Sequence, residues 1–316
     1  MIKDKEIDSF TIEKEKVLYP LEDETTTNEM KLEIQEENNF SLEYRKKYNR
    51  PWIGYFGVYG QSTTKASSRK PPSLFMYDAF DVGDIYTKTS NAYKWVNNEQ
   101  VEKDTTYNIE VISTEPKVFV IKDFLSDFEV DTITKEASTL LKKSEVGSES
   151  YGGAEYDLVQ RSSTSCWLPR ATNPITESIY CRAADILGIA REKMCEKSHA
   201  ESMQVVHYDT NQSFNCHYDF TIDNEPTSRF LTLLLYLNDQ FDNDSGGETA
   251  FPKSTSANLG LKDDEKNIGF KVHAGKGSAI LFYNQLSDGN GDYLSLHSGL
   301  PVLKGEKWAA NIWVWA

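Results

Sequence analysis

The sequence contains no apolar run of the roughly 18 residues that a membrane-spanning helix needs. Its charged N-terminus, residues 1–8 (MIKDKEID), also lacks the apolar stretch of a secretory signal. These two absences predict an intracellular, cytoplasmic protein without a membrane segment. Cysteine is scarce as well, and Cys166, Cys181, Cys195 and Cys216 show no CxxC spacing. We therefore predict four free thiols.

Basic residues are outnumbered, with 34 Lys and Arg against 49 Asp and Glu and a net charge of −15. This acidic balance argues against DNA, RNA or an anionic membrane surface as a partner, although it does not select a substrate. With 39% hydrophobic and 12% aromatic residues, the 316-residue chain can still bury a substantial core. The composition leaves the oligomeric state open.

Three segments of different composition divide the chain. Residues 1–50 are polar, acidic and weakly periodic, which predicts a partly disordered extension. Residues 51–115 begin with an aromatic, glycine-spaced stretch and continue through a loop-like region, and we expect this segment to pack on the main domain. The remaining residues, 116–316, carry the regular patterns and the site residues described below, so we interpret them as the catalytic domain.

Two helices are predicted near the start of this domain. Ser126 followed by Glu129 is a capping box, and residues 130–141 supply the helix with one apolar face. The second helix runs from the cap Asn173, with proline in its first turn, to the terminating Gly188.

The rest of the domain is rich in strand patterns. Runs of β-branched, aromatic and leucine residues predict strands at 118–121, 204–208, 230–237, 276–283 and 307–315. Glycine and Asp/Asn clusters separate the later runs. Helices followed by strands indicate an α+β fold in which helices buttress a β-sandwich or barrel.

Two histidines and an aspartate give the strongest chemical signal. His217 and Asp219 are two residues apart, so both would face one side of a strand, and His297 would arrive from a distant strand. Two imidazoles and one carboxylate can hold adjacent corners of an octahedral metal, the arrangement of a non-haem Fe(II) oxygenase. Because a histidine in an isolated HxD pattern is as often structural, the signal depends on the pairing with His297.

A lysine follows the second histidine at the start of the last predicted strand. By alternation, Lys307, Asn311 and Trp313 share one face of this strand. A buried ammonium is costly unless it is paired, and the far carboxylate of 2-oxoglutarate would pair with it. Tyr236, on another predicted strand, could add a hydrogen bond to the same carboxylate. The alternative is a surface lysine at a strand start.

The order and spacing of further segments resemble a known family. The segments are RSSTS (161–165), QVVHY (204–208), HYDF (217–220), RFLT (229–232), YLND (236–239), GGETAFP (246–252), GSAILF (277–282), HSGLPV (297–302) and GEKW (305–308). From about residue 116 to 316, the chain resembles the prolyl 4-hydroxylase branch of the Fe(II)/2-oxoglutarate dioxygenases, especially its plant and algal members.

The resemblance implies a double-stranded β-helix, a jelly-roll or cupin-like barrel buttressed by helices. It implies Fe(II) bound by His217, Asp219 and His297. It also implies that the distal carboxylate of 2-oxoglutarate lies beside Lys307 and Tyr236. O2 would be the second co-substrate, and ascorbate is a candidate reductant.

The same resemblance suggests roles for other residues. Tyr208 would lie near the metal and the co-substrate, and Trp313 would line the pocket. Arg161 matches a motif beside the substrate, although a structural ion pair would explain it equally well. Asn311 shares the face of Trp313 and is a further candidate for substrate contact. The glycine turn before Thr249 is expected to position a barrel strand, and Thr249 could itself touch the co-substrate.

We therefore predict a dioxygenase that oxidises an unactivated C–H bond while converting 2-oxoglutarate and O2 to succinate and CO2. An amino acid-like small molecule is the favoured substrate, because collagen-type enzymes act in the secretory pathway and this sequence shows no entry signal. The alternatives are a peptidyl-prolyl 4-hydroxylase, a radical cyclase of an N-prenylated glutamate like the similar algal kainoid synthases, and a non-catalytic metal- and 2-oxoglutarate-binding module. Zinc hydrolysis on the same ligands is less favoured, since no HExxH pattern supplies a general base.

Overall fold

The computed structural model describes residues 72–101, 104–144, 161–196, 198–220, 228–239, 244–255 and 269–316. These residues fall within one unit, Ser67–Ala316. The predicted acidic extension, 1–50, and the aromatic stretch that follows it lie outside the described residues.

Strands account for most of the regular structure. They are β1 (Ile85–Ser90), β2 (Lys94–Val96), β3 (Glu99–Val101), β4 (Thr105–Ser113), β5 (Val118–Ile121), β6 (Lys142–Lys143), β7 (Thr164–Leu168), β8 (Met203–Tyr208), β9 (Phe214–His217), β10 (Arg229–Tyr236), β11 (Thr249–Phe251), β12 (Phe270–Val272), β13 (Ala279–Tyr283), β14 (His297–Gly299) and β15 (Lys307–Trp315). Among the described residues, the α-helices are α1 (Asp127–Ser138) and α2 (Pro174–Leu187).

The strands from β8 onward form a double-stranded β-helix. In the described residues, a nine-stranded sheet has the order β1-β4-β5-β13-β10-β15-β8-β7-β6, and a four-stranded sheet has the order β12-β11-β14-β9. Successive strands mostly alternate between the two sheets: β8, β10, β13 and β15 belong to the large sheet, and β9, β11, β12 and β14 belong to the small one. This alternation is the jelly-roll topology that the sequence predicted.

The alternating side chains of β10 serve two cores. Leu231, Leu233 and Leu235 belong to the core that includes the apolar residues of both helices, whereas Leu234 and Tyr236 belong to the core that includes residues of both sheets. A strand buried on both faces reads as a continuous apolar run, which is why its position could be predicted from sequence.

Both helices begin as predicted. Ser126 caps α1 through the backbone N–H of Glu129, and the Glu129 side chain accepts from the backbone N–H of Ser126. Asn173 caps α2, which ends at Gly188 in the left-handed conformation with φ +66°.

The first helix ends earlier than its apolar pattern suggests. The hydroxyls of Ser138 and Thr139 donate to the carbonyls of Lys135 and Glu136, which satisfies acceptors of the last turn. The prediction that the helix extends to residue 141 was wrong: Leu140 lies beyond it and is 50% exposed, whereas Leu141, also beyond the helix, packs against the core.

One strand boundary and one further segment also differ from the prediction. The strand expected at 276–283 begins at Ala279, because Gly277 adopts φ +78° in a turn where a Cβ atom would lie 2.7 Å from the carbonyl oxygen of Leu125. Residues 85–113, where the sequence predicted no strand, extend the large sheet through β1 and β4, which pair along the full length of β1. The alternating exposed positions of β1, such as Ile85 and Thr87, lack the continuous apolar run of an inner strand.

None of the helices among the described residues combines the length and apolar character required to cross a membrane. All four cysteines are free thiols, as predicted.

Candidate active site

The two histidines and the aspartate converge at one edge of the small sheet. His217 is the last residue of β9, and His297 is the first residue of β14; the two are direct partners in the antiparallel register. Asp219 lies in the bend after β9 rather than in the strand, so the expected strand alternation does not place it. Instead, the chain turns after His217 and returns the carboxylate to the histidines. One potential ligand atom from each residue lies within 4.8 Å of the others.

Backbone carbonyls orient both imidazole rings. Nδ1 of His217 lies 2.8 Å from the carbonyl oxygen of Asn215, and Nδ1 of His297 lies 3.0 Å from that of Ser295. Each Nδ1 therefore donates its proton to a carbonyl oxygen, which leaves Nε2 as the ring nitrogen available to a metal. The two rings lie 4.3 Å apart between centroids, and Phe214 stacks on His217 at 3.7 Å.

The Asp219 carboxylate is buried among these groups. His217 Nε2 lies 3.8 Å from one carboxylate oxygen, and His297 Nε2 lies 3.6 Å from the other. Burial alone would raise the pKa of Asp219, but His297, His217 and Arg229 outweigh it and lower that pKa to about 2. Burial, followed by repulsion from His297, lowers the pKa of His217 to about 3. The carboxylate is thus charged and the His217 ring neutral at physiological pH, the states that bind a metal.

Lys307 brings a buried cation to the same cavity. The residue is only 6% exposed, and burial lowers its pKa to about 8. Its ammonium lies 5.8 Å from the ring centre of Tyr208 and 5.7 Å from that of Tyr236, and no carboxylate of the described residues lies within 4.0 Å of it. The Tyr236 hydroxyl donates to Thr249 Oγ1 at 2.9 Å. Burial raises the pKa of Tyr236, so it remains a neutral donor.

Arg161 is a second cation at the cavity, and its recorded hydrogen-bond partners are neutral. Its Nε donates to Ser163 Oγ at 2.9 Å, its Nη2 donates to Gln204 Oε1 at 3.2 Å, and its guanidinium lies 4.7 Å from the ring centre of Phe214. Burial lowers its pKa, while the nearby Tyr208 has the opposite effect. The ion pair considered as its structural role is not found among the described residues.

The structure brings together nearly every residue singled out in the sequence. The cavity is lined by His217, Asp219, His297, Lys307, Tyr208, Thr249, Arg161, Trp313 and Asn311, together with Gln204, Phe214 and apolar neighbours. Tyr236 does not line the cavity, but its hydroxyl donates a hydrogen bond to Thr249, which does. The glycine turn before β11 has φ +68° at Gly246, where a Cβ atom would lie 2.2 Å from the carbonyl oxygen of Pro301.

Sequence reasoning missed a polar network behind Asp219. Thr232 and Trp313 both donate to one of its carboxylate oxygens, and Asn284 donates to Thr232. By strand alternation, Thr232 shares the face of Tyr236. However, no local signal pairs it with a carboxylate thirteen residues earlier.

The donor set fits Fe(II). Two imidazole nitrogens and one carboxylate oxygen, buried and converging from different segments, match the two-histidine, one-carboxylate triad of non-haem Fe(II) oxygenases. Lys307, which has no carboxylate within 4.0 Å in the part of the chain that the structure describes, fits a dicarboxylate co-substrate beside that triad.

Comparison with known proteins agrees with this chemistry. Residues 203–315 match the 2OG-Fe(II) oxygenase superfamily. A protein of Arabidopsis thaliana named "Probable prolyl 4-hydroxylase 6" is 32% identical over 211 residues, covering 64% of this chain and 70% of the relative. "Probable prolyl 4-hydroxylase 9" of the same plant is 30% identical over 265 residues, covering 82% of this chain and 88% of the relative.

Among solved structures, a viral collagen prolyl hydroxylase from Paramecium Bursaria Chlorella virus-1 in complex with 2OG aligns with a TM-score of 0.47 and 27% identity. The alignment covers 63% of this chain and 96% of the viral chain.

These sequence matches identify the class: the chain belongs to the 2-oxoglutarate- and Fe(II)-dependent oxygenases, with prolyl 4-hydroxylases as its relatives. It is accordingly an oxidoreductase, and its family uses Fe(II), 2-oxoglutarate and O2.

Proposed function

We propose that His217, Asp219 and His297 bind Fe(II) in this protein. The support is the convergence of their ligand atoms and the fixed protonation of both imidazole Nδ1 atoms. Bound Fe(II), together with 2-oxoglutarate and O2, supplies the oxidising power for an unactivated C–H bond, with succinate and CO2 as co-products. The protein residues hold the three ligand groups in place and exclude water from them.

Lys307 binds the distal carboxylate of 2-oxoglutarate in this proposal. An ammonium buried without an anionic partner is unfavourable, and a carboxylate ligand removes that cost. Because Tyr236 donates to Thr249, the Thr249 hydroxyl keeps its own proton to donate into the cavity. Thr249 thus contacts the co-substrate directly, while Tyr236 orients it from behind. Tyr208, directly opposite Lys307 in the β8–β15 register, lies on the other side of the ammonium.

We infer that the substrate is an amino acid-like molecule with a carboxylate, and Arg161 carries this inference. Asp219 and one end of 2-oxoglutarate balance the metal, and the other end balances Lys307. Arg161 is the remaining cation among the described residues that line the cavity, and its hydrogen-bond partners Ser163 and Gln204 are neutral. A guanidinium is suited to bidentate binding of a carboxylate. Trp313 and Asn311 line the same cavity and are proposed to contact the substrate.

A prolyl residue within a peptide is the second candidate substrate. Relatives that are 32% and 34% identical to this chain are named as a probable prolyl 4-hydroxylase and a prolyl 4-hydroxylase. Arg161 would then donate to peptide carbonyls. Oxidative cyclisation of an N-prenylated glutamate is compatible with the same carboxylate contact and would differ in the product formed.

The test is succinate release by the Fe(II)-loaded protein with three substrate groups: free amino acids, N-prenylated glutamate, and proline-rich peptides. We expect release to be stimulated by a small carboxylate-bearing compound, and Arg161→Gln to raise its KM while kcat changes less. Arg161→Lys keeps the charge but loses the fork of donors. Its KM should lie between those of Arg161→Gln and the unmodified protein. Release stimulated by peptides alone would contradict the small-molecule proposal, and product mass would separate hydroxylation from cyclisation.

A further inference from the structure

The two oxygens of the Asp219 carboxylate have unequal surroundings. Oδ2 accepts a hydrogen bond from Thr232 Oγ1 at 2.7 Å and another from Trp313 Nε1 at 2.9 Å. The described residues record no hydrogen-bond donor to Oδ1, whose nearest histidine nitrogen is His217 Nε2 at 3.8 Å. The two donors occupy the lone pairs of Oδ2, whereas those of Oδ1 remain available.

The register of the large sheet places both donors at the same level. Thr232 on β10 is the direct partner of Trp313 on β15, so both side chains reach the same oxygen from neighbouring strands. The histidines, in contrast, belong to the small sheet. The large sheet therefore contains none of the three triad residues, but two of its side chains donate hydrogen bonds to the Asp219 carboxylate.

A second layer fixes each donor. The side-chain amide of Asn284, which is fully buried, donates to Thr232 Oγ1 at 2.9 Å. The threonine oxygen is thereby used as an acceptor, and its proton is directed to Asp219. On the other side, the guanidinium of Arg229 lies 3.6 Å from the ring centre of Trp313 and is itself held by two hydrogen bonds to Glu201, at 2.6 and 2.9 Å.

Both carboxylate oxygens are near enough to the histidines to compete for one metal, since Oδ2 lies 3.6 Å from His297 Nε2. Binding through both would fill an extra position of the metal. An octahedral ion held by two imidazoles and one carboxylate oxygen keeps three positions open, whereas a second carboxylate oxygen leaves only two. A chelating co-substrate and O2 together need three.

We propose that Thr232 and Trp313 are positioning residues that keep Asp219 a ligand through Oδ1 alone, and so keep one metal position free. This inference rests on the proposed metal-binding role of Asp219. Rotation of the carboxylate toward a two-oxygen mode breaks two charge-assisted hydrogen bonds in a buried site, where such bonds are strongest.

The experiment compares Co(II)-loaded variants under anaerobic conditions. The variants are Thr232→Val and Trp313→Phe, singly and combined, with Thr232→Ser as the conservative variant that keeps the hydroxyl. Trp95→Phe is the matched control, since it also removes an indole N–H, but one on β2 that donates to Ser178 rather than to Asp219. The measurements are the visible absorption of Co(II), which reports its ligand sphere, and the Kd for 2-oxoglutarate by calorimetry.

We expect the double variant to change the Co(II) spectrum, because a second carboxylate oxygen takes the place of a water ligand, and to bind 2-oxoglutarate about tenfold more weakly, with smaller changes in the single variants. Thr232→Ser and Trp95→Phe should match the unmodified protein. Unchanged spectra and 2-oxoglutarate affinities in Thr232→Val, Trp313→Phe and their combination would overturn the proposal, and so would equal changes in Trp95→Phe or complete loss of Co(II) binding by a folded variant.

Asp219→Ala separates the two levels of inference. It should lose Co(II) affinity, because it removes the ligand itself. If it binds Co(II) as tightly as the unmodified protein, the proposed ligand set is wrong, independently of how Thr232 and Trp313 behave.

Discussion

At the scale of single residues, the cavity is organised by charges that the protein itself leaves unbalanced. Lys307 is buried and Arg161 is half-buried, both without a carboxylate hydrogen-bond partner in the described residues, while Asp219 accepts from two donors. A folded protein rarely retains cations of this kind without a use for them. The imbalance therefore supports the proposed ligands: a metal for the carboxylate and anions for the cations.

The depressed pKa of Lys307 predicts how the affinity for 2-oxoglutarate depends on pH. Burial favours the neutral amine, so the ligand-free protein loses the ammonium as pH rises through about 8. Binding of the 2-oxoglutarate carboxylate needs the charged form. We therefore expect the Kd for 2-oxoglutarate to be constant below that pH and to rise by up to about tenfold per pH unit above it.

Calorimetric titration of the Co(II)-loaded protein between about pH 6.5 and 9.5, roughly 1.5 units on either side of the Lys307 pKa of about 8, measures this dependence. Lys307→Arg is the control, because a guanidinium stays charged throughout that range. Lys307→Arg should bind 2-oxoglutarate more weakly, with a Kd that does not change over this pH range. A pH dependence that persists in Lys307→Arg would assign the titration to another group.

The histidines provide a second prediction at this scale. His297→Ala removes one proposed ligand and should reduce 2-oxoglutarate turnover by at least about a hundredfold, with a parallel loss of Co(II) affinity, since removing even an outer partner of a metal ligand costs about 10–100-fold. His207→Ala is the matched control: His207 bonds Glu306 at 2.7 Å and stacks on Trp308, away from the triad. Similar losses in both variants would argue against a specific role for His297.

At the scale of secondary-structure elements, a buried ion pair joins the two helices. Arg182 of α2 makes two hydrogen bonds to Glu129 of α1, at 2.8 and 2.7 Å, and both side chains are fully buried. Glu129 also accepts from the backbone N–H groups of Ser126 and Trp95. One carboxylate thus serves the cap of α1, the hairpin strand β2 and the neighbouring helix.

This pair should be costly to break from one side. Arg182→Met leaves the Glu129 carboxylate buried without its cation and should lower the free energy of unfolding by about 3–5 kcal/mol, measured by chemical denaturation. Arg191→Ala breaks a partly exposed ion pair with Asp185, a residue of α2. It should lower the free energy of unfolding by at most about 1 kcal/mol. Equal losses in the two variants would contradict the importance assigned to burial.

At the scale of the whole described unit, the site joins two sheets. The histidines come from β9 and β14 of the small sheet, while Asp219 is held by Thr232 and Trp313 of the large one. A metal bound by all three residues would therefore connect the two layers across the barrel.

Metal binding should accordingly stabilise both sheets. At roughly a hundredfold excess over its Kd, a ligand that binds only the folded state adds about 2.7 kcal/mol to the free energy of unfolding. We expect Co(II) to raise the thermal midpoint and to slow hydrogen exchange in β9, β14, β10 and β15 together. His297→Ala should show neither effect. Protection confined to the small sheet would mean that the carboxylate does not couple the two layers.

The sequence by itself determined the elements whose signals are local. The capping residues Ser126 and Asn173 fix the helix starts through bonds within one turn, and the apolar run of β10 records burial on both faces. His217, His297 and Lys307 could be selected as a set because metal and carboxylate binding demand those residue types, and because their order and spacing resemble a known family.

Only the tertiary structure decided what depends on contacts between distant segments. The bend that returns Asp219 to the histidines, the neutral partners of Arg161, and the pairing of Thr232 with Trp313 at one oxygen follow from strand register and packing, which leave no periodic trace in the sequence. A local pattern reports hydrogen bonds and burial along one element. The coordination expected at the metal is set instead by where two sheets bring their side chains together.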